Sequence, residues 1–186
     1  MSSASSLLLP PEPIAHLRAY DPQADAGHAV RVAQLSLDIA RVFGEPVDRD
    51  DLYLVACLHD LGKADLHHLA RLPRPLTPDE RAAMEAHPRR GAEMVESFIG
   101  VSAPVKSWVL HHHERYDGRG YPHGMAGEDI PLGARIIAIA DVYDALTSDR
   151  PYRPGWGPGE ARAYVLDQAG TRFDPHLTLA FELLTA

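Results

Sequence analysis

Residues 131–147, PLGARIIAIADVYDALT, decide the fold class of this chain. The run 135–140, RIIAIA, has the composition of a buried strand, and short apolar runs do not distinguish strands from helices. However, the apolar pattern continues without a break to Leu146, which is longer than a typical strand. We therefore predict a helix that begins at Pro131 and is buried on most of its sides.

The segments on either side also have the pattern of helices. His28, Val32, Leu35, Ile39 and Val42 recur at helical spacing and form one inward face. Caps and prolines predict further helix starts at Asp21-Pro22, Asp48, Thr77, Ser102, Pro158 and Asp174-Pro175. The helix from Asp48 is expected to run to about Leu61, and the one after Pro88 is expected to end at Gly100. Without strand pairs elsewhere, and with a polar loop over residues 115–129, the sequence predicts an all-α helical bundle.

The composition excludes several classes of protein. The chain has 186 residues, a net charge of -8, 45% hydrophobic residues and 24% charged residues, as ordinary globular proteins do. The acidic balance argues against nucleic-acid and membrane-surface binding, and no apolar run approaches the roughly 20 residues of a membrane span. The single Cys57 allows no internal disulfide and favours a cytoplasmic location. We predict a flexible leader over residues 1–20, with no signal peptide, and one domain over residues 21–186.

The first candidate site is the pair His59-Asp60, within ACLHDLGK at residues 56–63. The pair lies where the helical pattern expects core residues, and an ionised carboxylate is costly to bury unless it is paired or bound to a metal. The two oxygens of Asp60 can bridge two metal ions, and Lys63 lies one turn later on the same side. The alternative is a hydrogen-bonded core histidine beside an exposed aspartate.

The second candidate is Asp141, a carboxylate within nearly continuous aliphatic sequence. Such a group needs a strong partner. Asp144 follows at i+3 on the same helical face. A metal site is one explanation for Asp141, and a salt bridge to Arg135 is the alternative.

Three further positions offer histidine ligands. Residues 111–114 read His-His-His-Glu at a predicted helix end, where adjacent imidazoles are poor candidates for simple packing. His28 lies on the apolar face of the first long helix, and a core histidine with satisfied hydrogen bonds is its alternative. His87 precedes Pro88, so a favourable interaction with the helix dipole is the alternative there.

The coincidence of these residues predicts a metal centre in the bundle core. His and Asp side chains from separate helices can converge there. Sites rich in imidazole favour transition metals over Mg²⁺ or Ca²⁺. Two divalent ions would bring about +4 against about −2 from Asp60 and Asp141, which suits an anionic substrate. Two metal ions that share a hydroxide are a recurrent arrangement for phosphate-ester hydrolysis.

Longer motifs extend the pattern along most of the chain. The most specific are HHERYDGRGYPHG at residues 112–124 and IPLGARIIAIADVYDALTSDRPYR at residues 130–153. GHAVRVAQLSLDIA lies around His28, MEAHPRRGAEM around His87, and AGTRFDP near the end. In this order, over roughly residues 21–182, the motifs resemble the HD-GYP family of the HD phosphohydrolase superfamily.

The resemblance implies an HD-domain helical bundle that hydrolyses the bacterial second messenger cyclic di-GMP to pGpG, with GMP as a further end product left open. The nucleophile would be a hydroxide that bridges two divalent transition-metal ions, iron or manganese, and attacks phosphorus in line with the departing sugar oxygen. The implied metal ligands are His28, His59, Asp60, His87, His112, His113 and Asp141.

The resemblance also implies roles for other side chains. Asp60 would bridge the two metal ions, and Lys63 would hold a phosphate oxygen and stabilise the transition state. The implied substrate-binding residues are Gly120, Tyr121, Pro122, Arg150 and Arg153, of which the two arginines would contact the phosphates.

Departures from the family pattern leave alternatives open. Ala24 stands where some members have a glutamate linked to a third metal, so a dinuclear site is favoured and a third ion stays open. The segment 64–75 fits poorly and motivates another cyclic dinucleotide or a nucleotide as substrate. A register with His111-His112 as ligands also stays open. From a different functional class, a weakly active module would bind cyclic di-GMP or dock onto a diguanylate cyclase, a GGDEF protein, through residues 120–122.

Overall fold

The computed structural model describes residues 26–70, 72, 74–98, 100–149 and 154–186. Within these ranges the chain is helical and has no strand, only two isolated bridges between single residues. The predicted all-α class is therefore confirmed. The helices are α1 (Ala26–Phe43), α2 (Arg49–Leu58), α3 (His67–Ala70), α4 (Pro78–Glu85), α5 (His87–Glu96), α6 (Ala103–His111), α7 (Leu132–Thr147), α8 (Pro158–Asp167) and α9 (Pro175–Leu184), with 3₁₀ turns at Leu61–Lys63 and Gly127–Asp129.

Two of the predictions concern the start of the chain. The leader over residues 1–20 and the helix cap at Asp21-Pro22 lie outside the described residues. Among the residues that are described, none of the helices combines the length and the hydropathy that crossing a membrane requires.

Helix α7 is the centre of the bundle, and it packs against α1, α2, α6, α8 and α9. Ile136, Ile137, Ile139 and Ala140 are fully buried. Consecutive helical residues point about 100° apart, so these four positions span nearly half of the helix circumference, and Ala138, which is 9% exposed, lies on the opposite side. Because other helices surround α7 on several sides, the run 135–140 is as apolar as a buried strand although it is helical. The prediction of a helix buried on most sides is confirmed.

Local capping explains where several helices begin. The Asp48 carboxylate accepts hydrogen bonds from the backbone N–H groups of Asp50 and Asp51, both at 2.9 Å. Thr77 and Glu80 form the predicted capping box at the start of α4. Each cap satisfies backbone donors that have no partner within the helix, so the sequence alone predicts these starts.

Two helix ends differ from the prediction. Helix α2 ends at Leu58 instead of about Leu61, because the next turn packs closely against α5. A Cβ at Gly62 would lie 2.1 Å from the carbonyl oxygen of His87, so only glycine permits this approach. Helix α5 ends at Glu96, and Gly100, at a φ of 85°, follows it. The bend after Leu58 places His59 and Asp60 between two elements rather than within one helix.

Candidate metal centre

All seven predicted metal ligands converge on one region of the bundle. They come from α1, the bend after α2, the first residue of α5, the segment after α6, and α7. Their side chains form two adjoining groups that share Asp60. The histidine group comprises Asp60, His87, His112 and His113, and the acidic group comprises His28, His59, Asp60 and Asp141.

Asp60 is the residue that joins the two groups. Its Oδ1 atom lies 3.4 Å from His87 Nε2, 3.9 Å from His112 Nε2 and 3.7 Å from His59 Nε2. That oxygen is buried and has no hydrogen bond of acceptable geometry, although the Lys63 ammonium group lies 2.7 Å from it. A buried carboxylate oxygen that faces three imidazole nitrogens and one ammonium group suits a bound metal cation, which would compensate the cost of burying its charge.

The imidazole rings of three ligands are oriented by the backbone of their own helical turn. In each case Nδ1 donates its proton to the carbonyl oxygen three residues earlier, at 2.7–2.8 Å. A neutral imidazole has one N–H, so in the neutral form, which metal binding requires, Nε2 presents a lone pair to the centre. The three pairs are His59 with Ala56, His87 with Met84 and His112 with Val109.

The lone pairs of His87 and His112 meet directly. Their Nε2 atoms lie 3.2 Å apart, although both Nδ1 protons are used elsewhere. Two imidazoles bound to one tetrahedral metal ion at 2.0–2.1 Å would place their nitrogens about 3.3 Å apart. The spacing therefore fits two ligands of one transition-metal ion.

The acidic group has a different support. His28 Nδ1 lies 2.7 Å from Asp144 Oδ2, and the Arg31 guanidinium holds the same carboxylate at 2.5 and 3.0 Å. His28 Nε2 is thereby directed towards Asp141 Oδ1 at 3.6 Å, and His59 Nε2 lies 3.7 Å from that same oxygen. Asp144 thus acts on the centre through His28, as residues behind metal ligands commonly do.

These contacts decide between several alternatives. The salt bridge of Asp141 with Arg135 is wrong, because Arg135 pairs with Asp174 and donates to the carbonyl of Ile130. The alternative for His59, a hydrogen-bonded core histidine beside an exposed aspartate, is met only in part: His59 is 1% exposed and its Nδ1 donates to Ala56, but its Nε2 lacks a hydrogen-bond partner and Asp60 Oδ1 is buried.

The structure also distinguishes two registers of the histidine run. His112 and His113 lie in the histidine group with Asp60, whereas His111 belongs to a separate cluster. The favoured pair therefore lies at the centre, and His111 does not.

The charged groups at the centre strongly shift one another's pKa values. Burial by itself would lower the pKa of His59, but the carboxylates of Asp60 and Asp141 outweigh it and raise that pKa to about 9. Burial, together with His59 and His87, lowers the pKa of His112 to about 3. Burial would raise the pKa of Asp141, but its interaction with His59 holds it well below the usual range. Without a metal ion, one proton on His59 therefore partly compensates two ionised carboxylates.

Lys63 and Tyr121 border the centre. The ammonium group of Lys63 lies 2.7 Å from the Asp60 carboxylate, as its predicted position one turn later implies. The ring of Tyr121 lies 5.0 Å from that of His113, with 36° between the planes. Burial raises the pKa of the Tyr121 phenol above its ordinary value, so this group stays protonated at neutral pH. A cationic and an aromatic side chain thus lie beside the predicted ligands.

The loop that carries Tyr121 folds closely against the end of α6. A Cβ at Gly120 would lie 2.3 Å from the backbone nitrogen of Arg115, so glycine is needed there for packing. The Pro122 carbonyl accepts a hydrogen bond from Arg89 at 3.3 Å, and the Tyr121-Pro122 peptide bond is cis. The predicted phosphate contacts Arg150 and Arg153 lie outside the described residues.

Sequence reasoning missed two residues that support the centre. Arg31 was not singled out, although its i+3 spacing from His28 places both on one face of α1. Glu114 is 4% exposed and accepts the backbone N–H groups of His123 at 2.7 Å and Met125 at 3.1 Å. No local signal could show that a glutamate after a histidine run is the hydrogen-bond acceptor around which the loop folds.

An all-α bundle with a core of convergent histidines and aspartates is an architecture that can hold two metal ions, an arrangement that recurs in phosphate-ester hydrolysis. In agreement, the sequence profile of the HD domain matches residues 14–177. The chain belongs to the HD domain family.

Similar proteins narrow the assignment from the HD domain family to its HD-GYP branch, as predicted. A cyclic di-GMP phosphodiesterase response regulator, RpfG of Xanthomonas campestris pv. campestris, is 49% identical over 127 residues, covering 66% of this chain and 33% of that protein. The cyclic di-GMP phosphodiesterase PA4108 of Pseudomonas aeruginosa is 43% identical over 157 residues, covering 83% and 37%. A 3'3'-cGAMP-specific phosphodiesterase 2 of Vibrio cholerae is 35% identical over 153 residues, covering 81% and 29%. The chain spans about a third of the length of the curated relatives it matches.

A solved structure supports the same placement. Bd1817, described as a HDG"Y"P protein from Bdellovibrio bacteriovorus, has a TM-score of 0.66 and 26% sequence identity to this chain. The match covers 86% of this chain and 52% of the other. Fold and family therefore agree.

Proposed function

We propose that this chain is a metal-dependent phosphodiesterase that hydrolyses cyclic di-GMP to pGpG, with residues 21–186 as the catalytic domain. The observation that carries the proposal is the 3.2 Å approach of His87 Nε2 and His112 Nε2 beside an Asp60 oxygen without a hydrogen bond. That arrangement suits a metal cation, and imidazole with carboxylate is a donor set for transition metals. The names of similar proteins supply the substrate class.

Two divalent ions, iron or manganese, fit the seven side chains. The histidine group would hold one ion and the acidic group the other, with Asp60 common to both. When bound, such ions neutralise phosphate charge and supply a hydroxide nucleophile at neutral pH.

The chain's own residues would bind and orient the substrate. Lys63 carries its charge to the edge of the centre, so it would contact a phosphate oxygen once Asp60 binds metal ions. The protonated Tyr121 ring beside His113 would form one wall of the substrate pocket and limit the entry of water. Gly120 and Pro122 would shape that wall, and Arg150 and Arg153 would contact the phosphates.

The test combines metal analysis with product chromatography on one sample. The protein is purified without chelator, its metal content is measured, and the sample is incubated with cyclic di-GMP. We expect about two transition-metal ions per chain and the formation of pGpG. A sample reloaded anaerobically with iron or manganese that leaves cyclic di-GMP intact would overturn the proposal. If that sample binds the dinucleotide stoichiometrically without turnover, the predicted binding module replaces the enzyme.

A second candidate substrate is 3'3'-cGAMP. It is favoured by the similar Vibrio cholerae protein, whose name specifies that dinucleotide. The two candidates differ in one base, so the same metal centre would serve both, and contacts to the base would decide between them. Parallel assays on both dinucleotides and on pGpG distinguish the candidates by their kcat/KM values. The predicted docking onto a GGDEF protein stays a prediction.

A further inference from the structure

A third cluster of potential ligands lies at the end of α6, separate from the two groups at the centre. It consists of His111, Glu114 and His123, and their candidate ligand atoms lie within 4.8 Å of one another. His111 is the last residue of the helix, and His123 belongs to the loop that carries Tyr121. The cluster therefore joins a helix to a loop that borders the predicted active site.

The two imidazoles point at one another. His111 Nδ1 donates to the carbonyl oxygen of Ser107 at 2.8 Å, so its Nε2 presents a lone pair. That Nε2 lies 3.0 Å from His123 Nδ1. In the tautomer of His123 that is protonated at Nε2, two lone pairs converge. Two imidazoles on one tetrahedral zinc ion would have nitrogens about 3.3 Å apart, so a small ring rotation would admit the ion.

Glu114 supplies the negative charge and holds one of the ligands in place. Its oxygens accept the backbone N–H groups of His123 and Met125. A carboxylate offers about four acceptor positions, so a third interaction remains available. Because the loop is already folded around this carboxylate, binding an ion would cost little additional ordering. His123 is exposed to solvent, which gives an ion access to the cluster.

We propose that His111, Glu114 and His123 form a peripheral zinc site that ties the loop over residues 115–126 to the end of α6. Two imidazoles and one carboxylate form a donor set that zinc accepts, with water completing the coordination. The site is independent of the proposed phosphodiesterase activity, because none of its three ligands belongs to the predicted dinuclear centre.

The test counts zinc ions in the full chain after equilibrium dialysis at a buffered free Zn²⁺ concentration. The wild type, His123→Ala and a control, His176→Ala, are compared. His176 is an exposed histidine on α9, outside all three clusters. We expect His123→Ala to bind one zinc ion fewer than the wild type, and His176→Ala to bind the same number as the wild type. An equal count in all three proteins overturns the proposal, as does the loss of the same ion from the control.

Hydrogen exchange provides a second measurement that does not depend on the total count. Zinc is expected to slow amide exchange over residues 115–126 in the wild type and in His176→Ala, and to have no such effect in His123→Ala. Zinc protection of this loop that persists in His123→Ala overturns the proposal. Neither measurement requires turnover, so a negative assay with cyclic di-GMP leaves both interpretable.

Discussion

The histidine group and the acidic group share Asp60 but are built in different ways. In the histidine group, His87 and His112 are oriented by carbonyl oxygens three residues earlier in the chain. In the acidic group, His59 is oriented in the same way by Ala56, but His28 is oriented by Asp144, which lies 116 residues away and is held in turn by Arg31. The Arg31 side chain is 44% exposed, whereas those of His87 and His112 are 1% and 0% exposed.

This difference implies that the two proposed metal positions are not equivalent. Backbone carbonyls within a folded turn are rigid acceptors, so the histidine group is preorganised as soon as its helices form. The orientation of His28 instead depends on the buried Asp144 of α7 and on Arg31 of α1, whose side chain is partly exposed to solvent and to salt. We therefore expect the acidic group to bind its ion less tightly.

Replacing Asp60 tests what the groups have in common and should have the largest effect. Asp60→Ala removes an oxygen from both groups and leaves the charge of Lys63 without its partner. We expect a loss of metal content at both positions and a fall in kcat/KM of at least about a thousandfold. Metal analysis and product chromatography measure the two effects. Asp65→Ala, at an exposed position five residues later, is the control and should behave as the wild type.

Replacing Asp144 separates the two groups. Asp144→Asn keeps the size of the side chain but removes the charge that orients His28 and pairs with Arg31. We expect the affinity for one of the two ions to fall about 10- to 100-fold, while the other is unchanged. Metal titration of the variant measures this, and Asp38→Asn on α1, the helix of His28 and Arg31, is the control. A uniform loss at both positions would contradict the proposed difference between the groups.

The pH dependence of the metal-free protein should show the smallest effect. The pKa of His59 is raised from 6.5 to about 9, so its stabilising contribution is complete below about pH 6.5 and is lost as the pH rises through about 9. The pKa of His112 is lowered to about 3, so its contribution is present above about pH 6.5 and is lost as the pH falls towards 3. The melting temperature is therefore expected to fall on both sides of about pH 6.5.

Bound metal should change only the alkaline side of this dependence of the melting temperature on pH. An ion at the acidic group replaces the proton of His59, so the alkaline decrease should disappear when manganese is added. Circular dichroism melts with and without chelator measure this. An alkaline decrease of the same size in the loaded protein would show that His59 does not bind the ion.

Most of the fold could be predicted from the sequence because helix starts depend on neighbouring residues. The capping box at Thr77 and the cap at Asp48 involve contacts over two or three residues, which local sequence reveals. The end of α2 was predicted three residues too late. Its position depends on the close packing of Gly62 against the carbonyl of His87, a contact that no local pattern contains.

The candidate site, too, could be predicted from the sequence only in part. The types and order of its residues predicted a metal centre with Asp60 at its middle, and the structure places all seven predicted ligands together. The alternative partner for Asp141 could be eliminated only when the structure showed Arg135 paired with Asp174, 39 residues away. The support of His28 by Arg31 and Asp144 was likewise not predicted.

By itself, the sequence determined most of the helices, the residue types of the candidate ligands and the family, because these depend on residue type and on short spacings. The tertiary structure alone decided which atoms meet: the shared oxygen of Asp60, the facing nitrogens of His87 and His112, and the different supports of the two groups. The physical reason is the distance along the chain between the residues that interact. A helix cap acts within one turn, whereas the geometry of a buried polar centre results from packing of distant segments, each of which must satisfy the others' charges and hydrogen bonds.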